Sequence, residues 1–147
     1  METGNLMVDA QTAFARSQWR RRRARAANWL FRRPPERSRL SSLEHDLGQM
    51  PPGARRTVGL RTVDLCSIVG TVEATKARRF DRTFHPPSSS RLRWERLWAA
   101  ARRGESLPPI SVYRLGEKHY VDDGHHRVSV AKALGMAAID AEVTELA

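Results

Sequence analysis

Residues 110–143 switch from the period of a strand to that of a helix and back again, and this constrains the chain more than any other feature. Ile110–Leu115 reads as a strand entered through Pro108-Pro109. Gly116-Glu117-Lys118 reads as a turn and His119–Asp122 as the returning strand, so the pair predicts a hairpin. Asp123-Gly124 breaks the run. A helix is predicted from about His125 to Leu134, with Val130, Ala131 and Leu134 on its inner face, and Ile139–Val143 follows as a closing strand. A hairpin, a helix and a further strand in so short a segment predict an α/β (α+β) fold, a small mixed sheet with flanking helices.

Upstream, residues 58–73 are β-branched and apolar and predict one or two strands. Residues 76–90 form a loop with a basic cluster at Lys76, Arg78 and Arg79. Trp94, Leu97, Trp98 and Ala101 then recur at i, i+3, i+4 and i+7, which predicts a helix capped by Ser88–Ser90, with both tryptophans as core anchors. Residues 11–33 are rich in Ala and Arg and predict an N-terminal helix, ended by Pro34 and Pro35. Ala15, Trp19, Ala26 and Leu30 fall near one face of it, with Arg22 and Arg23 on the same stripe. Residues 34–57 read as a Pro/Ser/Arg connector with a short turn around Leu43–Leu47. The expected division is a basic extension and linker over 1–57 and a folded domain over 58–147. Residues 1–50 are expected to pack loosely or extend away.

Charge divides the chain in the same way. The sequence carries 26 basic and 16 acidic residues, net +10, but residues 1–103 have net +13 and residues 104–147 net −3. A basic segment of this density suits a polyanion. Ten arginines fall between residues 16 and 39, and Arg20, Arg21, Arg22, Arg23, Arg25, Arg32 and Arg33 are the candidate nucleic-acid contacts. Trp19 and Trp29 are candidates to stack on bases. The same segment also reads as a solvated basic tail, or as a surface for anionic membrane. No apolar run is long enough to span a bilayer, and Arg16 interrupts any secretory signal early. The single cysteine, Cys66, excludes an intrachain disulfide and a zinc site of two or more thiolates. The expected compartment is the cytoplasm, with nucleoid association if the arginines hold DNA.

The strand–glycine–helix junction carries the candidate chemistry. The first amides of a helix lack internal acceptors and sit at its positive end, and a glycine before them lets an anion come close. Gly124, the His125 and His126 amides and the Arg127 guanidinium therefore make a candidate phosphate site. The competing reading makes Arg127 a structural partner of Asp122 or Asp123, and Asp123 a helix N-cap. Asp122, Asp123, His125 and His126 are metal-ligand types, but neighbours on a strand point to opposite sides and do not converge on one ion. A Ser/His/Asp triad has no nucleophile elbow to support it.

Residues 107–146, and the Gly124-His125-His126-Arg127 loop above all, resemble the ParB/sulfiredoxin superfamily, especially its stand-alone ParB-like nuclease domains. Sulfiredoxins have a similar Gly-Cys-His-Arg loop and partitioning ParB proteins Gly-Glu-Arg-Arg. The resemblance implies that this loop binds phosphates of a nucleotide or nucleic acid, with a nucleoside triphosphate and Mg²⁺ as the implied cofactor. Asp123 is the acid candidate for phosphoryl transfer or nuclease chemistry, and Asp122 or Glu73 a candidate base or Mg²⁺ ligand. His125 stands where sulfiredoxins have their cysteine, so reduction through a thiol intermediate is not expected. The helix-turn-helix that follows this domain in partitioning proteins has no counterpart before Ala147. The non-catalytic alternative is a nucleic-acid-associated protein bound through its arginines.

Overall fold

The computed structural model describes residues 3–34, 39–48 and 53–146. Four helices and six strands run in the order α1 (Leu6–Leu30), β1 (Ser41–Ser42), α2 (Leu43–Leu47), β2 (Arg55–Asp64), β3 (Ile68–Thr71), α3 (Arg91–Arg102), β4 (Ile110–Leu115), β5 (Lys118–Asp123), α4 (His125–Ala133) and β6 (Ala138–Leu146). The strands form one mixed sheet in the order β1-β3-β5-β4-β6-β2. β4 and β5 are the expected antiparallel hairpin. β3 lies parallel to β5, and β6 parallel to β4. β2 occupies the far edge and pairs with β6 alone, from Arg55 opposite Leu146 to Asp64 opposite Ala138.

One apolar cluster joins the sheet to α4. Ile110, Val112, Val121, Ala141 and Val143 meet Val128 and Ala131, with Phe80 and Phe84 from the loop before α3. A second cluster sets Val130 of α4 against Trp94 and Trp98 of α3, and these against Ala10 and Phe14 of α1. Outward from the sheet the order is therefore α4, α3, α1. The Phe14 and Trp94 rings meet edge to face with centroids 5.6 Å apart, and Trp94 Nε1 donates to Ser129 Oγ at 2.9 Å. Both tryptophans are core anchors, as their helical spacing predicts.

Two expectations differ from this packing. α1 begins at Leu6, capped by the Asn5 side chain on the Met7 and Val8 amides, and ends at Leu30 rather than 33. It does not extend away: Ala10 and Phe14 are buried in the second cluster, and Gln18 Nε2 donates to Pro86 O at 2.5 Å. The connector is also built into the fold. β1 pairs in parallel with β3, Leu40 and Leu43 are buried, and the Tyr120 hydroxyl donates to Asp46. The expected turn at Leu43–Leu47 is α2. A loop rich in Pro and Ser hides such contacts because its two or three apolar anchors carry no period.

Candidate functional site

A cleft of about 1070 Å³ opens where α3 and α4 begin. Its lining contains Lys76, Arg79, Arg91, Arg93, Arg96 and Arg127 against one acid, Asp123. Two helix N-termini meet there. Gly124 stands at the N-cap of α4 and Ser90 at that of α3, and neither helix has a side-chain cap. Ser90 Oγ instead donates to Pro87 O at 2.9 Å. Ser88–Ser90 form a 3-10 turn that runs directly into α3, so the leading amides left for solvent or a ligand are those of α4, while both helices present the positive ends of their dipoles. Cations, amides and dipoles together give the cleft a positive field that suits a multiply charged anion.

Gly124 is fixed by the fold itself. Its φ is +110°, and a Cβ there would lie 2.8 Å from Ile110 Cβ and overlap Ile110 Cγ2. His125 turns inward: its Nε2 lies 2.7 Å from Thr71 Oγ1, whose hydroxyl also donates to Val121 O at 3.2 Å. With that proton committed, the Nε2–H of His125 donates to Thr71. Phe80 stacks on His125, with centroids 5.8 Å apart, and meets His126 edge-on at 5.1 Å. Burial pushes both imidazoles down to about 4, reinforced by Lys76 and His126 for His125 and by Arg93 and Arg79 for His126. Both rings are neutral at pH 7, so they add no imidazolium charge to the cleft. His126 Nε2 is buried without a hydrogen-bond partner among the described residues.

Arg127 is braced. Its Nη1 donates to Pro108 O and Pro109 O, both at 2.7 Å, and its Nη2 to Asp123 Oδ2 at 2.9 Å. These bonds use three of the five guanidinium N–H groups. They tie the entry of β4 to the loop. Asp123 is the partner of Arg127 and not an N-cap, since the cap position belongs to Gly124. Asp122 and Glu73 do not line the cleft; Glu73 is exposed and lies 3.7 Å from Lys76. Among the described residues no group of three His, Cys, Asp or Glu side chains could hold a metal ion. A triphosphate suits the cationic lining, but Asp123 is the sole carboxylate to meet a divalent ion, which would rest chiefly on the ligand's own phosphates. Cys66 is exposed in the turn between β2 and β3, outside the cleft lining.

The loop that carries Phe80 is held by Asp81. Its Oδ1 accepts from the Thr83 and His85 amides at 3.1 and 2.9 Å, and its Oδ2 pairs with His85 Nδ1 at 2.7 Å. Burial would raise this carboxyl, but the hydrogen bonds from His85 outweigh it and hold it below the ordinary range. Arg21 is half-buried on α1 and falls on the side of Ala10, Phe14 and Ser17, so it belongs to the inner face of the helix, and burial lowers its pKa. Arg20, Arg22, Arg23, Arg25, Arg32 and Arg33 are exposed on α1 or just beyond it. None of the seven lines the cleft, so the two groups of cations are separate surfaces.

No family model and no curated protein sequence matches the chain. Among solved structures, a sulfiredoxin from Arabidopsis thaliana is similar with a TM-score of 0.43 and 19% identity, covering 57% of this chain and 82% of that one. Arg91, Arg93 and Arg96 escaped sequence reading as site residues, whereas Arg79 belongs to the basic cluster that the sequence singles out. Arg93 and Arg96 stand at i and i+3, one helical neighbour apart, and only the fold brings them to the α4 loop.

The neutral histidines set a pH dependence. Above pH 6.5 neither state binds a proton at these positions and stability is unaffected. Below 6.5 the unfolded chain takes up protons that the folded chain refuses until about pH 4. Unfolding free energy should therefore fall between pH 6.5 and 4, by at most about 3 kcal/mol per histidine and less where solvent screens the ring. Urea titrations across this window check it, and a flatter profile is expected for His125→Asn.

Proposed function

We propose that the chain is a phosphate-binding domain of the ParB-like kind, which holds the phosphates of a nucleotide across the α3 and α4 N-termini. The supporting observation is the convergence of the uncapped α4 N-terminus, the serine turn that leads into α3 and six cations on one cleft with a single acid. In this reading the His125 and His126 amides meet one phosphate. Arg93 and Arg96 clamp the next, and Arg79 closes the opposite wall. Arg127 braces the loop through Pro108 and Pro109 and offers its remaining N–H groups to the ligand. Gly124-His125-His126-Arg127 keeps the glycine and arginine of the family loop it resembles. Phosphoryl transfer or nuclease chemistry on this site would fall to Asp123, the sole carboxylate of the lining, once a ligand draws it from Arg127.

The test is thermal unfolding with ATP, CTP, ADP and a short DNA, each with and without Mg²⁺. A ligand at about a hundred times its Kd should add about 2.7 kcal/mol, a rise of several degrees. No shift with any of these polyphosphates at millimolar concentration would remove the reading.

A further inference from the structure

The apolar stripe on α1 faces away from the protein. The buried side of the helix runs through Ala10, Phe14 and Ser17, with Arg21 half-buried below them. Val8, Ala15, Trp19, Ala26 and Leu30 recur on the opposite side, and every one is exposed. Trp19 is 57% accessible and Leu30 67%, and the helix ends in Trp29 at 82% and Phe31 at 66%. Arginines edge the stripe on both sides: Arg16, Arg20 and Arg23 along one margin, Arg22 and Arg25 along the other. Arg23 lies over the Trp19 ring at 4.7 Å and Arg33 over Phe31 at 5.4 Å. The one acid in α1, Asp9, is buried and turned to Thr3.

We propose that this face lies in the interface of an anionic lipid membrane. The aromatic and aliphatic side chains of the stripe enter the acyl boundary, and the flanking guanidinium groups remain among the headgroup phosphates. Charge argues for this occupant. A second copy of the chain would set two arginine-edged stripes against each other without an acid between them. Nucleic acid would satisfy the arginines and could stack on Trp19, but it offers nothing apolar to Val8, Ala15, Ala26 and Leu30. An anionic bilayer satisfies both halves of the pattern. The helix lies on the membrane rather than crossing it, because no described helix is long and apolar enough to span. The buried side stays on α3, so the folded domain docks without rearrangement and its cleft remains a separate surface.

Flotation of the full chain with vesicles of phosphatidylcholine containing roughly a third phosphatidylglycerol tests this at physiological salt. Strong partition is expected there, and weak partition on phosphatidylcholine alone. The double variant Trp19→Ser, Leu30→Ser should lose about tenfold or more in partition. Its circular dichroism and melting should change little, since both side chains are mostly exposed and touch no part of the core. Brominated lipid should quench tryptophan emission of the wild-type chain, through Trp19 and Trp29. Absence of vesicle binding overturns the proposal. So does a double variant that binds vesicles as well as wild type, because the charges alone would then be responsible. A face that binds single-stranded DNA but not vesicles, with the variant weakening the DNA complex, assigns the stripe to base stacking and overturns it too.

Discussion

Replacing Gly124 with valine should cost about 4 kcal/mol of stability and lower the melting midpoint by on the order of 10 °C. Two independent costs add. The residue holds φ at +110°, where a β-branched side chain is strained by about 1–2 kcal/mol. Its new Cβ must also displace Ile110, which is fully buried at the start of β4, and overpacking of this kind costs about 1–3 kcal/mol. The loss is a folding defect first. Any fall in phosphate affinity should be read in the fraction that remains folded. Gly124→Ala keeps the clash and most of the strain, so it should rank close behind. Ile110→Ala tests the origin: the penalty of Gly124→Ala should shrink in that background, because the two sites are in contact. A Gly124→Val protein that melts like wild type would contradict the left-handed backbone on which the α4 entry is built.

The double variant Arg93→Ala, Arg96→Ala should bind the stabilising nucleotide about a hundredfold to a thousandfold more weakly, while folding normally. Each guanidinium contributes a charge-assisted bond of about 1.5–3 kcal/mol to a phosphate. Both side chains are exposed, so their loss costs little stability. Paired lysines should recover part of the affinity, because point charges keep the field but not the two-pronged contact. Arg127→Ala should behave differently. It removes bonds to Pro108, Pro109 and Asp123, so its first effect is on stability, with a binding defect added to it. Calorimetry on the folded variants separates the two. Full affinity in the Arg93→Ala, Arg96→Ala protein would move the ligand out of the cleft.

The C-terminal elements were legible almost to the residue. Ile110–Leu115 alternates, Gly116 turns the chain, and Gly124 falls where period two gives way to the helix of α4. Each boundary there has its own local chemistry. α1 was legible as a helix but not in its orientation. The stripe through Ala15, Trp19, Ala26 and Leu30 is the strongest apolar pattern in it, yet the fold buries the side of Ala10 and Phe14. The first half of the helix seats on the α3 cluster through Leu6, Ala10, Ala13 and Phe14, a helical repeat that two alanines make fainter than the stripe carrying Trp19 and Leu30. The junction at Gly124–Arg127 was legible as a glycine that opens a helix straight after a strand. The α3 arginines were not, since their charge reads as an ordinary solvated helix face. Distance in three dimensions, which joins residues 76–79, 91–96 and 123–127 around one cleft, has no signature in spacing.

The position of β2 dictates an order of assembly. This strand of ten residues has one neighbour, β6, and β6 is the last element of the described chain. The β3-β5-β4 ribbon and its helices can collapse as soon as α4 is available. β2 must wait through the whole of that sequence, with both edges unpaired, until Ala138–Leu146 arrives to lie between it and β4. Closing so long a loop late makes the final step slow and non-local. A nascent or truncated chain lacking β6 would carry a long open strand, and pairing with another molecule's β2 would compete with native folding. Parallel in-register pairing of two β2 copies would set the arginines at positions 55, 56 and 61 against themselves, so the competitor is the antiparallel pair, in which Arg55 falls opposite Asp64.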